Sequence, residues 1–112
     1  MEDMSKLQSF FQTLADANRL RIIKVIGKAR CSVSEIVEAT GLSQPLVSHH
    51  LRLMREQSIL ETEREGPFIY HRLKDERLLD ALGLCAEIAA RSQKDQKIRR
   101  TFCCPPWRGK DL

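Results

Sequence analysis

Two short helices joined by three residues, with a hairpin directly behind them, constrain this chain more than any other feature. The first helix is expected over residues 32–40. Ser32-Val33-Ser34-Glu35 has the form S-x-x-E, in which each side chain accepts the other residue's backbone N–H. Val33, Ile36 and Val37 supply its apolar face, and Thr40-Gly41-Leu42 breaks it, with Gly41 free to turn left-handed. Ser43 caps the second helix, expected over residues 43–57. Pro45 is tolerated in the first turn, where the missing N–H has no helical partner. Val47, Leu51 and Met54 fall on one side of this helix, and Gln44, Ser48, His49 and Arg52 on the other. A pair of this kind reads as a helix-turn-helix, whose second helix enters the major groove and offers its N-terminal residues to base edges. The candidate DNA-binding residues are therefore Ser43, Gln44, Ser48, His49 and Arg52. Glutamine suits adenine, arginine suits guanine, and serine suits a base or a phosphate. The plain alternative is a helical domain whose fourth helix has a solvated polar face, and the hairpin that follows weighs against it.

That hairpin is expected from residues 59–64 and 68–73, which are rich in β-formers, with Glu65-Gly66-Pro67 as the turn. Arg64 and Arg72 are its candidate phosphate-backbone contacts. Upstream, Leu7, Phe10, Phe11 and Leu14 recur at helical spacing over residues 4–14. Asp16 caps a second helix that carries Leu20, Ile22, Ile23 and Ile26 and ends near Gly27. Downstream, Asp75 opens a last helix to about residue 93, with Leu78, Leu79, Leu82 and Cys85 or Ala86 on one stripe. Beyond it, prolines 105 and 106 prevent a regular helix. The expected fold is mainly α with a small β-hairpin, a winged helix-turn-helix in the order α-α-α-α-β-β-α. Residues 1–93 would form the DNA-binding and dimerisation domain, and residues 94–112 a cysteine-containing effector tail.

Composition narrows the class of partner. A chain of 112 residues, 42% apolar, is the size of one globular domain with its own core. The net charge of +4 is a mild tilt towards an anionic partner. No apolar run approaches the ~20 residues of a membrane span, and residues 1–6 have no signal-peptide character, so a cytoplasmic protein without membrane contact is expected. In that compartment the four cysteines are expected to be thiols, as core filler, metal ligands or redox centres.

Three stretches resemble one known family. LADANRLRII at residues 14–23 is similar to its second-helix signature, and GLSQPLVSHHL at residues 41–51 to its recognition helix. The Arg64-Glu65-Gly66 turn with Tyr70-His71-Arg72-Leu73 is similar to its wing. The family is ArsR/SmtB, bacterial metal- and metalloid-sensing repressors, and the resemblance runs from about residue 7 to residue 83. It implies a homodimer joined through the first and last helices, bound to a partly palindromic double-stranded DNA operator and released by an inducer.

The family's best-known sensor is a Cys-Val-Cys at the start of the third helix. Here those two cysteines are replaced by Ser32 and Ser34, whose hydroxyls are poor ligands for soft ions. Cys31, one residue earlier, reads as a small apolar filler. The family's zinc site uses Asp, His and Glu on the last helix. His49, His50 and His71 all lie elsewhere, and His50 reads as a packing histidine. The tail remains. Cys103 and Cys104 are adjacent and flanked by Arg99, Arg100, Arg108 and Lys110, whose charge favours thiolates. This tail resembles family members that sense arsenic at a C-terminal pair, which makes trivalent arsenic the expected effector, as arsenite or methylarsenite. Two thiolates complete methylarsenite, and arsenite takes three. Cys85 is either a third ligand or a core thiol. Another soft metal, thiol oxidation and no effector at all are the alternatives. A thiol-redox enzyme is the rival class, but C-x-x-C, a phosphate-cradling glycine loop and a paired acid and base are all missing. The chain therefore reads as a non-enzyme with no obligatory cofactor.

Overall fold

The computed structural model describes residues 2–99, with side chains described for residues 3–91. The described residues fall into two units, one up to Leu79 and the other from Asp80 onward. The first unit holds α1 (Glu2–Leu14), α2 (Ala17–Ile26), β1 (Arg30–Cys31), α3 (Val33–Thr40), α4 (Gln44–Glu56), β2 (Leu60–Glu65) and β3 (Phe68–Leu73). Helix α5 (Arg77–Arg99) begins in it and is the described element of the second, continuing past the expected end near residue 93.

The helix ends follow from the caps read in the sequence. Asp16 accepts the backbone N–H groups of Asn18 and Arg19 at 2.9 and 3.2 Å and starts α2. Burial alone would raise its carboxyl, but these donors hold it below the ordinary carboxylate range. The Ser32–Glu35 capping box is complete, and Gly41 ends α3 in the left-handed region at φ 75°. Ser43 caps α4 by accepting the N–H of Leu46.

The far end of α4 has no such marker. Ile59 N–H bonds to the Met54 carbonyl at 2.9 Å and Ser58 N–H to that of Arg55 at 2.9 Å, a Schellman pattern. The left-handed position is filled by Ser58, at φ 60°, where glycine is usual. This closure drops Ile59 into the core at the foot of β2.

Strands order as β1-β3-β2, all antiparallel. The hairpin stands as expected, with a tighter turn: Glu65 pairs with Phe68, leaving Gly66 and Pro67 to reverse the chain. Gly66, at φ 62°, occupies the first central position, where type II′ turns take glycine. The two-residue strand β1 is an addition to the expected element order. It is too short for any periodicity to mark, and its partner lies far along the chain.

Ile22, Ile23 and Ile26 of α2, Ile36 of α3, and Val47, Leu51 and Met54 of α4 are the innermost side chains. Ile59, Leu60 and Leu73 join them from the hairpin. Each such residue contributes roughly 1.5–3 kcal/mol by burial, so these side chains hold the helix-turn-helix and the hairpin together. Along α1, Leu14 is buried, but Leu7, Phe11 and Met4 are exposed. On α5, Leu78, Leu79 and Leu82 are half-buried, while Leu84 and Ile88 are 59% and 56% exposed.

Candidate nucleic-acid interface

Helix α4 sorts its side chains cleanly. Val47, His50, Leu51 and Met54 are buried, while Ser43, Gln44, Ser48, His49 and Arg52 are all exposed. The helix carries no acidic residue before Glu56, at its far end. The structure thus brings together the five positions expected to read DNA, on one open face with nothing to repel phosphate. His49 and Arg52, one turn apart, approach to 3.4 Å between Nδ1 and Nη2. The oxygen of Ser43 is engaged as the helix cap, which leaves its hydroxyl hydrogen free to donate.

Two arginines that sequence reasoning passed over hold this face in place. Arg19 donates from Nε to His50 Nδ1 at 3.1 Å and from Nη1 to the Thr13 carbonyl at 3.0 Å, tying α2 to both α4 and α1. Arg21 donates to the Thr40 carbonyl at 2.7 Å, at the α3–α4 turn. That turn is further held by Thr40, whose hydroxyl donates to Ile36 and accepts from Leu42. Both arginines sit in the stretch LADANRLRII. The available signal was the placing of two guanidiniums directly before a buried isoleucine row, where they need carbonyl or imidazole acceptors. His50 is a packing histidine, as its position suggested. Burial pushes its imidazole down, Asp16 opposes this, and Arg19 and His49 reinforce it. A neutral ring is what Arg19 requires, since Nδ1 must accept.

The wing is less uniform. Residues that face each other across antiparallel strands share a face, and successive residues alternate. The register therefore puts Leu60, Thr62, Arg64, Ile69, His71, Leu73 and Cys31 on one face. Glu61, Glu63, Glu65, Phe68, Tyr70, Arg72 and Arg30 lie on the other. Arg64 and Arg72, which look equivalent in the sequence, point to opposite sides. Arg64 is exposed, while Arg72 lies 3.8 Å from Glu63. On the inner face His71 is 3% exposed, and its Nδ1 is enclosed without a partner among the described residues. Burial pushes its imidazole down, and Arg55 adds to this.

The thiols divide by place. Cys31 is buried, with Sγ 4.0 Å from the Val25 carbonyl, and burial pushes its thiol up, with Glu35 adding to the effect. It is a neutral filler. Ser32 is occupied as the α3 cap and Ser34 is exposed. Cys85 is exposed on α5. Cys103 and Cys104 lie outside the described residues. Among the described residues no three His, Cys, Asp or Glu side chains cluster to hold a metal ion, and no helix is long and apolar enough to cross a membrane.

Comparison with known proteins agrees with this geometry. The family described as "Bacterial regulatory protein, arsR family" matches residues 16–62, which takes in α2 and the helix-turn-helix. The nodulation protein NolR of Rhizobium meliloti is 30% identical over 87 residues, 78% of this chain and 71% of that protein. The arsenic resistance transcriptional regulator ArsR1 of Pseudomonas putida is 40% identical over 67 residues, 59% of this chain and 52% of that one. The SmtB homologue of Synechocystis sp. and KmtR of Mycobacterium tuberculosis are matched over 61% and 52% of their own length. Among solved structures, NolR from Sinorhizobium fredii superposes with a TM-score of 0.70 at 29% identity, covering 78% of this chain and 87% of that one.

Proposed function

Because the chain belongs to the arsR family of bacterial winged-helix transcriptional regulators, we propose that it is a cytoplasmic homodimeric repressor that leaves its operator when a trivalent arsenical binds. The observation that carries the DNA-binding half is the acid-free exposed face of α4, with Ser43, Gln44, Ser48, His49 and Arg52 side by side. On this reading they lie in the major groove and Arg64 rests on a phosphate. Arg72, engaged with Glu63, balances the wing's charge. Dimerisation through α1 and α5 is supported by the apolar side chains each leaves exposed, Met4, Leu7 and Phe11 on one and Leu84 and Ile88 on the other.

The effector half rests on the sequence. Cys103 and Cys104 are neighbouring thiols in a basic setting, and soft thiolates suit trivalent arsenic. Two thiolates complete a monomethylated arsenical, so methylarsenite is expected to release DNA at least as well as arsenite. Cys85 then has no part in the preferred response. Binding must favour the DNA-free state, and a tenfold release needs about 1.4 kcal/mol of coupling. The test is fluorescence anisotropy of labelled operator, titrated with arsenite, methylarsenite, cadmium and mercuric ion. It uses the wild type and Cys85→Ser, Cys103→Ser and Cys104→Ser. Loss of response in both tail variants alone supports the reading. A normal response in both removes the tail from sensing, and abolition of the arsenite response by Cys85→Ser establishes a three-thiol site.

A further inference from the structure

The wing is an odd surface to bring to DNA. Residues 60–73 carry three glutamates against two arginines, and the register lines all three carboxylates along the outer face. One residue outside the wing answers two of them. Arg30 of β1 lies on the same face, opposite Arg72, and crosses β3 to reach β2. Its Nη1 sits 3.2 Å from Glu63 Oε2, its Nη2 bonds to Glu65, and its guanidinium carbon lies 4.3 Å above the Tyr70 ring. Glu63 Oε2 is itself enclosed and makes no hydrogen bond of good geometry; the guanidiniums of Arg30 and Arg72 are its cationic neighbours among the described residues. The Glu63 side chain as a whole is 41% exposed, so the two guanidiniums flank one enclosed oxygen of an otherwise open carboxylate.

We propose that Arg30 is a positioning residue for DNA binding: it neutralises Glu63 and Glu65 and pins Tyr70, so that the wing can approach the phosphate backbone. The inference rests on the DNA-binding reading above. Arg30 acts through the carboxylates and not by touching DNA. At physiological salt, charges interact over ~8 Å, so an unbalanced pair of glutamates on a strand as narrow as β2 would be felt by a phosphate on its other side. The guanidinium answers both carboxylates and the ring face at once. A lysine in its place would keep the charge but lose the planar fork and its stacking.

The experiment is a double-mutant cycle on the full chain. The probes are a duplex selected from a random pool by the wild type and a random-sequence duplex. Arg30→Gln is expected to weaken binding to both by about threefold to tenfold at low salt. In the Glu63→Gln/Glu65→Gln background the same substitution is expected to change affinity by less than about twofold, because its target is gone. Arg30→Lys loses the fork and the stacking on Tyr70 but keeps the charge that offsets Glu63 and Glu65, on which the effect at DNA depends, and is expected to stay within about threefold of wild type. Thermal melting checks that each variant is folded; should Arg30→Gln not fold, Arg30→Ala is taken through the same cycle, and Arg30→Lys binding tenfold more weakly than wild type would overturn the proposal. Equal losses in both backgrounds would mean that Arg30 contacts phosphate directly, and no loss in either would mean that the cluster has no bearing on DNA; each overturns the proposal. Failure of the wild type to bind either duplex in a salt-dependent way would instead overturn the DNA-binding reading itself.

Discussion

Helix α4 and the β2–β3 wing follow each other in the chain and, on the proposed reading, face the same polyanion, yet they are built on different charge plans. The exposed side of α4 is free of acid as far as Glu56, and its shape comes from a cap and a helical period. The wing alternates Glu61, Glu63 and Glu65 along β2, and its balance depends on Arg30 and Arg72, brought in by strand pairing. A surface assembled from one helix takes its pattern from that helix alone and needs its neighbours only for footing, as Arg19 gives through His50. A surface assembled from three strands depends on all of them.

The largest expected effect tests the footing of the helix. Leu51 is 1% exposed beneath the reading face. Leu51→Ala is expected to cost about 2–5 kcal/mol of folding stability by denaturant melting. Phe68→Ala, on the exposed side of the wing, is expected to cost far less. Comparable losses would mean that wing and helix share one core to a greater degree than burial indicates.

Next in size is base reading. Arg52→Ala is expected to weaken binding by about 1–3 kcal/mol and to relax preference at one base position, read by binding to single-substitution operators. Uniform weakening across all sequences would move Arg52 from base reading to phosphate contact and erase its distinction from the wing.

Smaller still is the contrast within the wing. Arg64→Ala is expected to lower the salt slope of binding by about 1, as one phosphate contact is lost. Arg72→Ala, on the opposite face and engaged with Glu63, is expected to leave that slope unchanged. Equal slopes for the two variants would break the assignment of faces.

The smallest effect compares the two buried imidazoles, His50 of α4 and His71 of β3. Both are held below the ordinary value of about 6.5 by burial. The unfolded chain therefore takes up protons that the folded chain refuses. Stability is full above about pH 6.5 and declines as the pH falls below it. Each contribution is expected to be under about 1 kcal/mol between pH 7 and pH 6, read from thermal melts. His71→Leu should flatten this decline at little cost, because Nδ1 has no partner to lose. His50→Leu should also flatten it, but at a cost, because Arg19 Nε loses its acceptor. A steeper decline in either variant would show that its imidazole is protonated in the folded chain.

Most of what is local in the described residues was legible from the amino-acid order. The capping box at Ser32 and Glu35, the Asp16 and Ser43 caps, the left-handed Gly41 and the two faces of α4 each depend on residues within a few positions of one another. Short-range hydrogen bonds and helical period are enough to place them. The end of α4 falls where the sequence put it, at Gln57, but the form of its closure was not legible, because Ser58 fills a left-handed position that glycine usually marks. Strand β1, the partition of Arg64 from Arg72, the Arg30 cluster and the anchoring of α4 by Arg19 through His50 were settled only by pairing between distant segments. A register shift of one residue would have exchanged every wing side chain between faces. Periodicity names the two faces of a strand but not which of them meets the core, and that choice was made by Leu60 and Leu73 packing inward.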